Sequence, residues 1–486
     1  MSMKSVFSVF MLFVLLASPG FAATITVARD GSGDMNSVQL AVATMADGDE
    51  IVILDSAVYE EDLTGGAGAG FAGQFTLKAA EGQTPTIRAV NEAERLESIG
   101  APGVDYLGAF FSGCVGVVIE GIVFENFTTD VNVLTISSAL AFMDCNDVTV
   151  RNCTIRGAGG PGTAYGGFNF GLLVSGQTMA SAGMVFENCL VEECHYGVQV
   201  LKAAEGVPAD PSITLRGCTI QNCNGNGIEI DCAAQPEPVN PNRQAAGEGH
   251  RIEDTLITNC QNPLTLGGGK IVVRNCTILG NRGYINVDKQ SSGELPILVE
   301  FDQTAIVGSE NIGVRVVGGR LTMTHCIVAG CYNEGIYITE NAEEAIVVVD
   351  HCDFYRNLIM APESFELRLE TPFELERTLT MTNTNVIGVA GILNGSMEDF
   401  EDYIDGLASA SYCNVLTEYE AFSHVDLDHV ISEDPLYVNP SAEPATFTRE
   451  GFKLREGSPV LTAGSGGSYI GSQGPVQTGI LDWMMF

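Results

Sequence analysis

Short runs of alternating apolar and polar residues recur along most of the chain. Each run follows a glycine and places every second side chain on the same face. Four examples are Val198–Val200, Ile228–Ile230, Val314–Val316 and Ile336–Ile338. Alternation with a period of two predicts β-strands that bury one face and leave the other to solvent. The pattern therefore predicts an all-β protein built from many short strands.

A second pattern recurs between these runs: an apolar stretch, two polar residues, a Cys or Thr, and a further apolar stretch. It occurs in Val150–Ile155 and Phe186–Val191, and again around Cys218, Thr255, Cys276, Thr304, Cys326, Cys352 and Thr384. Successive copies lie 21–37 residues apart. A repeat of this length with short strands and no helix is typical of a solenoid in which each repeat forms one coil.

The repeat resembles the right-handed parallel β-helix of the pectin-lyase-like superfamily, from about Thr24 to Gly471. Residues Val27–Asp34 and Ser37–Val42 are similar to the opening of pectin methylesterases. Asp434–Val438 and Phe452–Val460 are similar to the closing segment of many secreted β-helix proteins. The resemblance implies a single-domain rod of roughly a dozen coils, since stacked coils each add one strand spacing.

Four segments are predicted along the chain. Residues 1–22 form a signal peptide, 23–395 the β-helix with its N-terminal cap, 396–430 an acidic and partly helical interruption, and 431–486 the closing segment. In the cap, Val38, Ala41, Val42 and Met45 have helical spacing. A short helix with this apolar stripe would cover the open strand edge of the first coil.

The N-terminus predicts export. Met1–Ala22 combines Lys4, a 12-residue apolar run and small residues at Gly20 and Ala22. These features are typical of a secretory signal peptide cleaved near Ala22. The apolar run is too short to span about 30 Å of hydrocarbon. We therefore expect a secreted protein, extracellular or periplasmic, with no membrane anchor.

The composition narrows the possible partners. The chain carries 61 Asp and Glu against 23 Lys and Arg, a formal net charge of −38. Nucleic acids and anionic bilayers both require clustered cations, so neither is an expected partner. Self-repulsion favours a soluble monomer. The same charge would repel polyuronates unless Ca²⁺ or a local cation such as Arg315 intervenes.

The 14 cysteines follow the repeat. Six of them share a repeat position with Thr255, Thr304 and Thr384, and four share a second position with Asn281 and Asn357. Exchange with Thr and Asn predicts free thiols stacked in buried columns. Disulfides and a metal site are the alternatives.

Insertions indicate where a ligand would bind. Extra residues enter at one repeat position, after the alternating strand, in Gly176–Ala182, Leu201–Pro211, Asp231–Gly249, Asp288–Pro296 and Thr339–Glu344. Such insertions collect on one side of a solenoid, and that side usually carries the binding surface. The outward row beside them is Gln199, Glu229, Thr265, Asn286, Arg315 and Tyr337. Further outward positions are Asp231, Asp288 and Thr339, with Lys202 and Lys289 just beyond.

Two chemistries fit this row. A lyase removes the proton beside a uronic carboxylate, and Lys289, Arg315 and Tyr337 are the candidate catalytic residues, with Lys202 as a further possible base. Glu229, Asp231 and Asp288 are candidate Ca²⁺ ligands. A glycosidase would instead use two carboxyl groups, for which Asp231 and Asp288 are candidates. Gln199, Glu229, Asn286 and Lys202 are the candidate substrate-binding residues, and His195 and His250 are weaker catalytic candidates.

The resemblance implies a carbohydrate connection but transfers no catalytic residue. The chain lacks the Gln-Ala-Val-Ala phrase of pectin methylesterases and the Asn-Thr-Asp series of polygalacturonases. The leading hypothesis is a secreted carbohydrate-binding protein that cleaves an acidic extracellular polysaccharide as a Ca²⁺-assisted lyase. The alternatives are a non-catalytic surface or matrix protein and a glycoside hydrolase.

Overall fold

The structure is a computed structural model of the chain, and it describes the following residues: 22–66, 73–90, 105–126, 135–157, 169–176, 181–201, 211–231, 249–288, 297–357, 366–369, 378–388, 392–394, 407–417, 422–423 and 425–476. Several predicted features lie outside these residues: the signal peptide up to Phe21, the candidate site residues Lys202 and Lys289, Cys232, and most of four predicted insertions (177–180, 202–210, 232–248 and 289–296).

The described chain winds through three parallel sheets in a fixed order. In the first full coil, β2 (Glu50–Ile53) belongs to the first sheet, β3 (Val58–Glu60) to the second and β4 (Thr64–Gly66) to the third. Each strand pairs in parallel with its equivalent one coil before and after. Because crossovers between parallel strands are right-handed, this is the right-handed parallel β-helix that the sequence predicts.

The remaining strands follow the same assignment. The first sheet continues with β1 (Thr24–Val27), β5 (Phe75–Ala79), β8 (Val117–Glu120), β11 (Thr149–Arg151), β14 (Met184–Glu187), β17 (Ile213–Arg216), β20 (His250–Glu253), β23 (Lys270–Arg274), β26 (Leu298–Asp302), β28 (Val314–Thr324), β30 (Ile336–Asp350), β33 (Thr378–Thr382), β36 (Ala408–Ser411) and β39 (Asp426–Asp428). The second continues with β6 (Thr86–Arg88), β9 (Val123–Asn126), β12 (Thr154–Gly157), β15 (Leu190–Glu192), β18 (Thr219–Gln221), β21 (Leu256–Thr258), β24 (Thr277–Leu279), β27 (Ala305–Val307), β29 (Ile327–Ala329), β31 (Asp353–Tyr355), β34 (Asn385–Gly388) and β37 (Asn414–Thr417).

The third sheet continues with β7 (Asp105–Ser112), β10 (Thr135–Met143), β13 (Asn169–Ser175), β16 (Tyr196–Leu201), β19 (Asn226–Asp231), β22 (Asn262–Leu266), β25 (Ile285–Val287), β32 (Leu367–Leu369), β35 (Ile392–Asn394) and β38 (Phe422–Ser423). Strands β28 and β30 are long enough to run from the third sheet into the first. The second sheet has 13 strands in the described part of the chain, which matches the expected dozen coils.

Inward side chains stack from coil to coil and form one continuous core. Phe75, Phe111, Phe142 and Phe186 show the stacking, with successive ring centroids 5.8, 5.5 and 6.2 Å apart. The N-terminal end of the core is covered by α1 (Val38–Thr44), the one α-helix in the described residues. Its buried residues Val38, Ala41 and Val42 confirm the predicted stripe, and this helix is too short to cross a membrane.

The cysteine columns are also confirmed. All 13 described cysteines are free and buried. At the first column position, Cys189 Sγ donates to the Glu187 carbonyl at 3.4 Å, just as Thr304 Oγ1 donates to the Asp302 carbonyl at 3.2 Å. Cys and Thr interchange there because either side chain satisfies the same carbonyl at the bend.

The end of the rod is described only in part, since residues 396–406, 418–421 and 424 of the predicted partly helical interruption lie outside the described residues. The described residues within 396–430 lie in strands β36–β39 or their turns and contain no helix, so they continue the coils. After Val430 the chain leaves the coils, and residues 431–476, which we name the C-terminal segment, pack on the outer face of the second sheet. The C-terminal segment contains three short 3-10 helices, Arg449–Phe452, Pro459–Leu461 and Ser465–Gly467.

A buried carboxyl group fastens the C-terminal segment to the rod. Asp353 on β31 accepts hydrogen bonds from the Tyr437 hydroxyl, from Ser472 N at 2.8 Å and from Asn385 Nδ2 at 2.8 Å. Burial raises the pKa of Asp353, although these hydrogen bonds oppose the shift. Two of the donors, Tyr437 and Ser472, belong to the C-terminal segment. The Asp353 side chain therefore holds the beginning and the end of the C-terminal segment to the same coil.

Candidate functional site

The predicted outward row exists in the third sheet. Gln199, Glu229, Thr265, Asn286, Arg315 and Tyr337 are register partners in consecutive strands from β16 to β30. The next partner is Arg368 on β32. We call these seven residues the polar row. Neighbours in the row are separated by one strand spacing, about 4.8 Å, so the row repeats regularly like the units of a polymer.

The two ends of the polar row differ in exposure. Gln199 is only 3 % exposed, so its side chain is not at the open position expected of a substrate-binding residue. Glu229, Asn286, Arg315, Tyr337 and Arg368 are half-buried, which leaves part of each side chain accessible. The accessible part of the row therefore begins at Glu229.

Acidic side chains lie at the N-terminal part of the accessible row. Glu229 Oε2 accepts a hydrogen bond from Asn226 Nδ2 at 2.6 Å, and Asn226 Oδ1 accepts one from Asn262 Nδ2 at 3.0 Å. Asp288 Oδ2 lies 3.4 Å from Asn286 Nδ2. The carboxylates in this part are thus held by neutral amides.

Asp231 and Asp288 lie two coils apart, with Gly267 between them. Hydrogen bonds from Gly267 N to Ile230 O (2.8 Å) and from Asp288 N to Leu266 O (3.1 Å) fix this register. A Cβ atom on Gly267 would lie 3.8 Å from Asp231 Oδ1. Gly267 is buried, and the same Cβ would lie 3.2 Å from the Ile230 carbonyl oxygen.

The three predicted calcium ligands do not converge. Glu229 and Asp231 are two residues apart on β19, and Asp288 follows β25, two coils further along the rod. Within the described ranges, no group of three His, Cys, Asp or Glu side chains is arranged to hold a metal ion.

Cationic and aromatic side chains lie at the other end of the row. Tyr337 is the register partner of Arg315 on one side and of Arg368 on the other. Arg315 Cζ lies 5.6 Å from the ring centroid of Tyr284, and Arg368 Cζ lies 5.4 Å from that of Tyr337. Arg368 Nη1 also lies 3.5 Å from Glu334 Oε1. The Arg368 guanidinium thus lies over the Tyr337 ring, whereas the Arg315 guanidinium lies over Tyr284.

Sequence reasoning missed Arg368. Most strands of the predicted row follow a glycine. Strand β32 follows Glu366 instead, so the predicted row ended at Tyr337. The alternation in Glu366-Leu367-Arg368-Leu369 is the signal that could have extended the row by one coil.

The two histidine candidates lie away from this cationic end. His195 contacts Tyr196, with ring centroids 4.5 Å apart. His250 begins β20 in the first sheet and is 4 % exposed, and burial lowers its pKa to about 4. A buried neutral imidazole in another sheet is a structural residue, as the sequence analysis favoured.

Most other arginines in the sheets are paired with acids. On the outer face of the first sheet, acids and bases alternate in register over eight strands, and we call this set the charge ladder: Lys78, Glu120, Arg151, Glu187, Arg216, Glu253, Arg274 and Asp302. Arg151 lies 2.8 Å from Glu120, and Arg216 lies 3.1 Å from Glu187 and 3.2 Å from Glu253. By contrast, Arg315 forms no ion pair with a described residue.

Comparisons with solved structures find the same fold in carbohydrate-active proteins. Pectate lyase Pel9A matches with a TM-score of 0.41 and 12% identity over 94% of this chain and 97% of that one. The A-module of the mannuronan C-5 epimerase AlgE4 of Azotobacter vinelandii matches with a TM-score of 0.43 and 14% identity over 74% and 90%. The catalytic unit of a GH87 α-1,3-glucanase from Streptomyces thermodiastaticus matches with a TM-score of 0.46 and 12% identity over 74% and 67%. At these identities the likeness is one of fold.

Comparison with curated proteins finds no match. The family model described as a right-handed β-helix region matches residues 91–242 and 208–363. Together these matches span more than half of the chain, and they coincide with the coils that carry the polar row. The protein therefore belongs to the right-handed β-helix family.

Proposed function

We propose that this protein binds an extracellular polysaccharide along the polar row and cleaves it as a lyase at Tyr337. The observation that carries the proposal is the placement of the Tyr337 phenol between Arg315 and Arg368 on a half-buried row of the third sheet. The predicted signal peptide supports a reaction outside the cytoplasm. The row's regular spacing suits a polymer, whose successive units meet equivalent positions of successive coils.

The chemistry follows from the three side chains. Arg315 and Arg368 pair with the carboxylate of a uronic acid unit, which stabilises the negative charge that develops when the adjacent carbon loses its proton. Tyr337, acting as the phenolate, takes up that proton. The electron pair of the broken carbon–hydrogen bond forms a carbon–carbon double bond and the glycosidic carbon–oxygen bond breaks. The leaving oxygen takes up the proton from the Tyr337 phenol, which restores the phenolate. Because the three predicted calcium ligands do not converge, the proposed reaction does not use calcium.

A glycoside hydrolase is the second candidate. Asp231 and Asp288 are two coils apart, about 10 Å along the rod. An inverting glycosidase uses two carboxyl groups roughly 6.5–9.5 Å apart, with a water between them. This arrangement lacks the convergent partners that surround Tyr337, so the lyase is the leading proposal.

The test separates the two reactions by their products. The mature chain is incubated with pectate, alginate and glycosaminoglycans, with and without a chelator. Unsaturated ends are followed by ultraviolet absorbance and new reducing ends by a sugar assay. We expect both signals, and their loss in Tyr337→Phe but not in the control Tyr332→Phe, which changes an exposed tyrosine of the same coil outside the row.

Three other outcomes of this experiment would contradict the lyase. New reducing ends without unsaturation would identify a hydrolase and overturn the lyase. Binding without any cleavage would identify a non-catalytic carbohydrate-binding rod. Neither binding nor cleavage of any acidic polysaccharide would overturn the proposed function as a whole.

A further inference from the structure

The charge of the accessible polar row changes sign between two adjacent coils. We name Glu229, Asp231 and Asp288 the acidic end, and Arg315 and Arg368 the cationic end. Asn286 and Arg315 are register partners, and Asp288 is two residues beyond Asn286. The last acid and the first arginine therefore belong to neighbouring strands, about 4.8 Å apart along the rod.

Within the described residues, no cationic side chain pairs with the acidic end, and Lys202 and Lys289 lie outside those residues. The hydrogen-bond partners of Glu229 and Asp288 are the amides of Asn226 and Asn286, which carry no charge. Among the residues that the structure describes, none of the three carboxylates forms an ion pair. In the charge ladder, by contrast, acids of the same type lie within 3.2 Å of an arginine, as Glu253 does.

These two ends favour different sugar units. A carboxylate accepts hydrogen bonds from sugar hydroxyl groups but repels the carboxylate of a uronic acid. Asn226, Asn262 and Asn286 add further groups that bond to neutral hydroxyls. Only the cationic end provides a favourable partner for a uronic carboxylate.

We propose that the substrate is a heteropolysaccharide in which uronic acid units are separated by neutral sugar units. A uronic acid unit lies at Arg315 and Arg368, while neutral units lie over Glu229, Asp231 and Asp288. This inference rests on the proposed polysaccharide function and narrows its substrate class. A homopolyuronate would place carboxylates against the acidic end, and each close pair of like charges would lower its affinity by about fivefold.

The experiment compares oligosaccharides of equal length and different charge spacing. The full mature chain carrying Tyr337→Phe, which binds without cleaving, is titrated calorimetrically with chelator present. The ligands are alternating uronic acid–N-acetylhexosamine oligosaccharides, oligogalacturonates, oligoalginates and neutral oligomannosides. We expect the alternating ligands to bind at least tenfold more tightly than either homopolyuronate.

Removal of negative charges at the acidic end provides the matched comparison. Adding Glu229→Gln and Asp288→Asn should raise the affinity for homopolyuronates about fivefold or more without strengthening the binding of alternating ligands. The control Glu253→Gln, in the charge ladder, should change neither affinity. Thermal unfolding checks that each variant is folded.

Several results would overturn the inference. One is equal or tighter binding of homopolyuronates. Another is homopolyuronate binding that calcium strengthens and Asp288→Asn abolishes, because the acids would then bind uronate through the cation. If homopolyuronates bind as tightly as the alternating ligands, the proposed function stands while the inference fails. If no acidic polysaccharide binds, the proposed function itself fails.

Discussion

The charge ladder and the polar row use the same strand stacking in opposite ways. Arg216, in the ladder, lies 3.1 Å from Glu187 and 3.2 Å from Glu253, the acids of the two adjacent strands. Arg315, in the polar row, has the neutral side chains Asn286 and Tyr337 as its register partners. Arg216 therefore forms ion pairs with acids of its own protein, whereas Arg315 forms no ion pair with a described residue.

This difference separates structural from ligand-facing cations. Arg151, Arg216 and Arg274 each lie within 3.2 Å of an acid in the first sheet. Arg315 and Arg320, both on β28, form no ion pair with a described residue, and of these two only Arg315 lies in the polar row.

The largest predicted effect tests the functional side of this comparison. Arg315→Gln should lower kcat/KM for the cleaved polysaccharide about 100-fold, because the developing negative charge of the transition state loses one of its two guanidinium partners. Arg216→Gln is the matched control and should leave kcat/KM unchanged. Initial rates of product formation measure both. Equal losses in the two variants would show that the pairing pattern does not identify the functional arginine.

The second predicted effect concerns stability. Arg216→Gln should lower the free energy of unfolding by about 1 kcal/mol, since it leaves Glu187 and Glu253 without their shared partner on an exposed face. The loss should shrink at high salt, where surface charges are screened. Arg315→Gln should change stability by less than about 0.5 kcal/mol. Urea unfolding at low and high salt measures these values, and a larger loss for Arg315→Gln would contradict the comparison.

The smallest predicted effect depends on pH. Asp350 continues the outward row of the charge ladder, two coils beyond Asp302. Burial alone would raise its pKa, but hydrogen bonds from His351, Thr382 and Asn383 outweigh burial and hold the pKa below its usual range. The ionised carboxylate therefore stabilises the fold above the unfolded-state pKa of about 4, and this contribution disappears as the pH falls further.

Asp350→Asn should remove that contribution. The variant should be slightly less stable than the wild type at neutral pH, and the difference should vanish in strong acid. Thermal unfolding between neutral and acidic pH measures both curves. Parallel curves at all pH values would show that the Asp350 carboxylate does not contribute through its charge.

Short-range patterns in the sequence predicted much of this molecule. Period-two alternation located the strands and placed Glu229, Asn286, Arg315 and Tyr337 in one row, because a parallel stack keeps equivalent repeat positions in register. Exchange of Cys with Thr predicted the buried columns for a similar reason. The residues two positions before Cys153, Cys189 and Cys218 also alternate in charge. These residues are Arg151, Glu187 and Arg216, so the sequence itself indicated the charge ladder.

Other features depend on tertiary context. Gln199 has the same strand position as Glu229 but is 3 % exposed, which the local pattern does not indicate. Residues 407–417 break the sequence repeat yet form strands, because pairing with the preceding coil stabilises them. Arg368 joined the row only when the register of β32 was known. Alternation predicts on which face of the sheet a side chain lies, but it does not predict whether other residues bury that side chain.

The C-terminal segment has a consequence for how the rod assembles. It follows every coil in the sequence, yet Arg449 Nη1 bonds to Asn275 Oδ1 at 2.9 Å, 174 residues earlier, and Ser472 bonds to Asp353, 119 residues earlier. Coils in a solenoid fold through contacts with their nearest neighbours, whereas these contacts join residues that are far apart in the sequence and form only after the last coil is in place. Docking of the segment therefore makes the late coils unfold as a unit instead of fraying one at a time, and it gives a rod of local contacts a slow, non-local final step in folding.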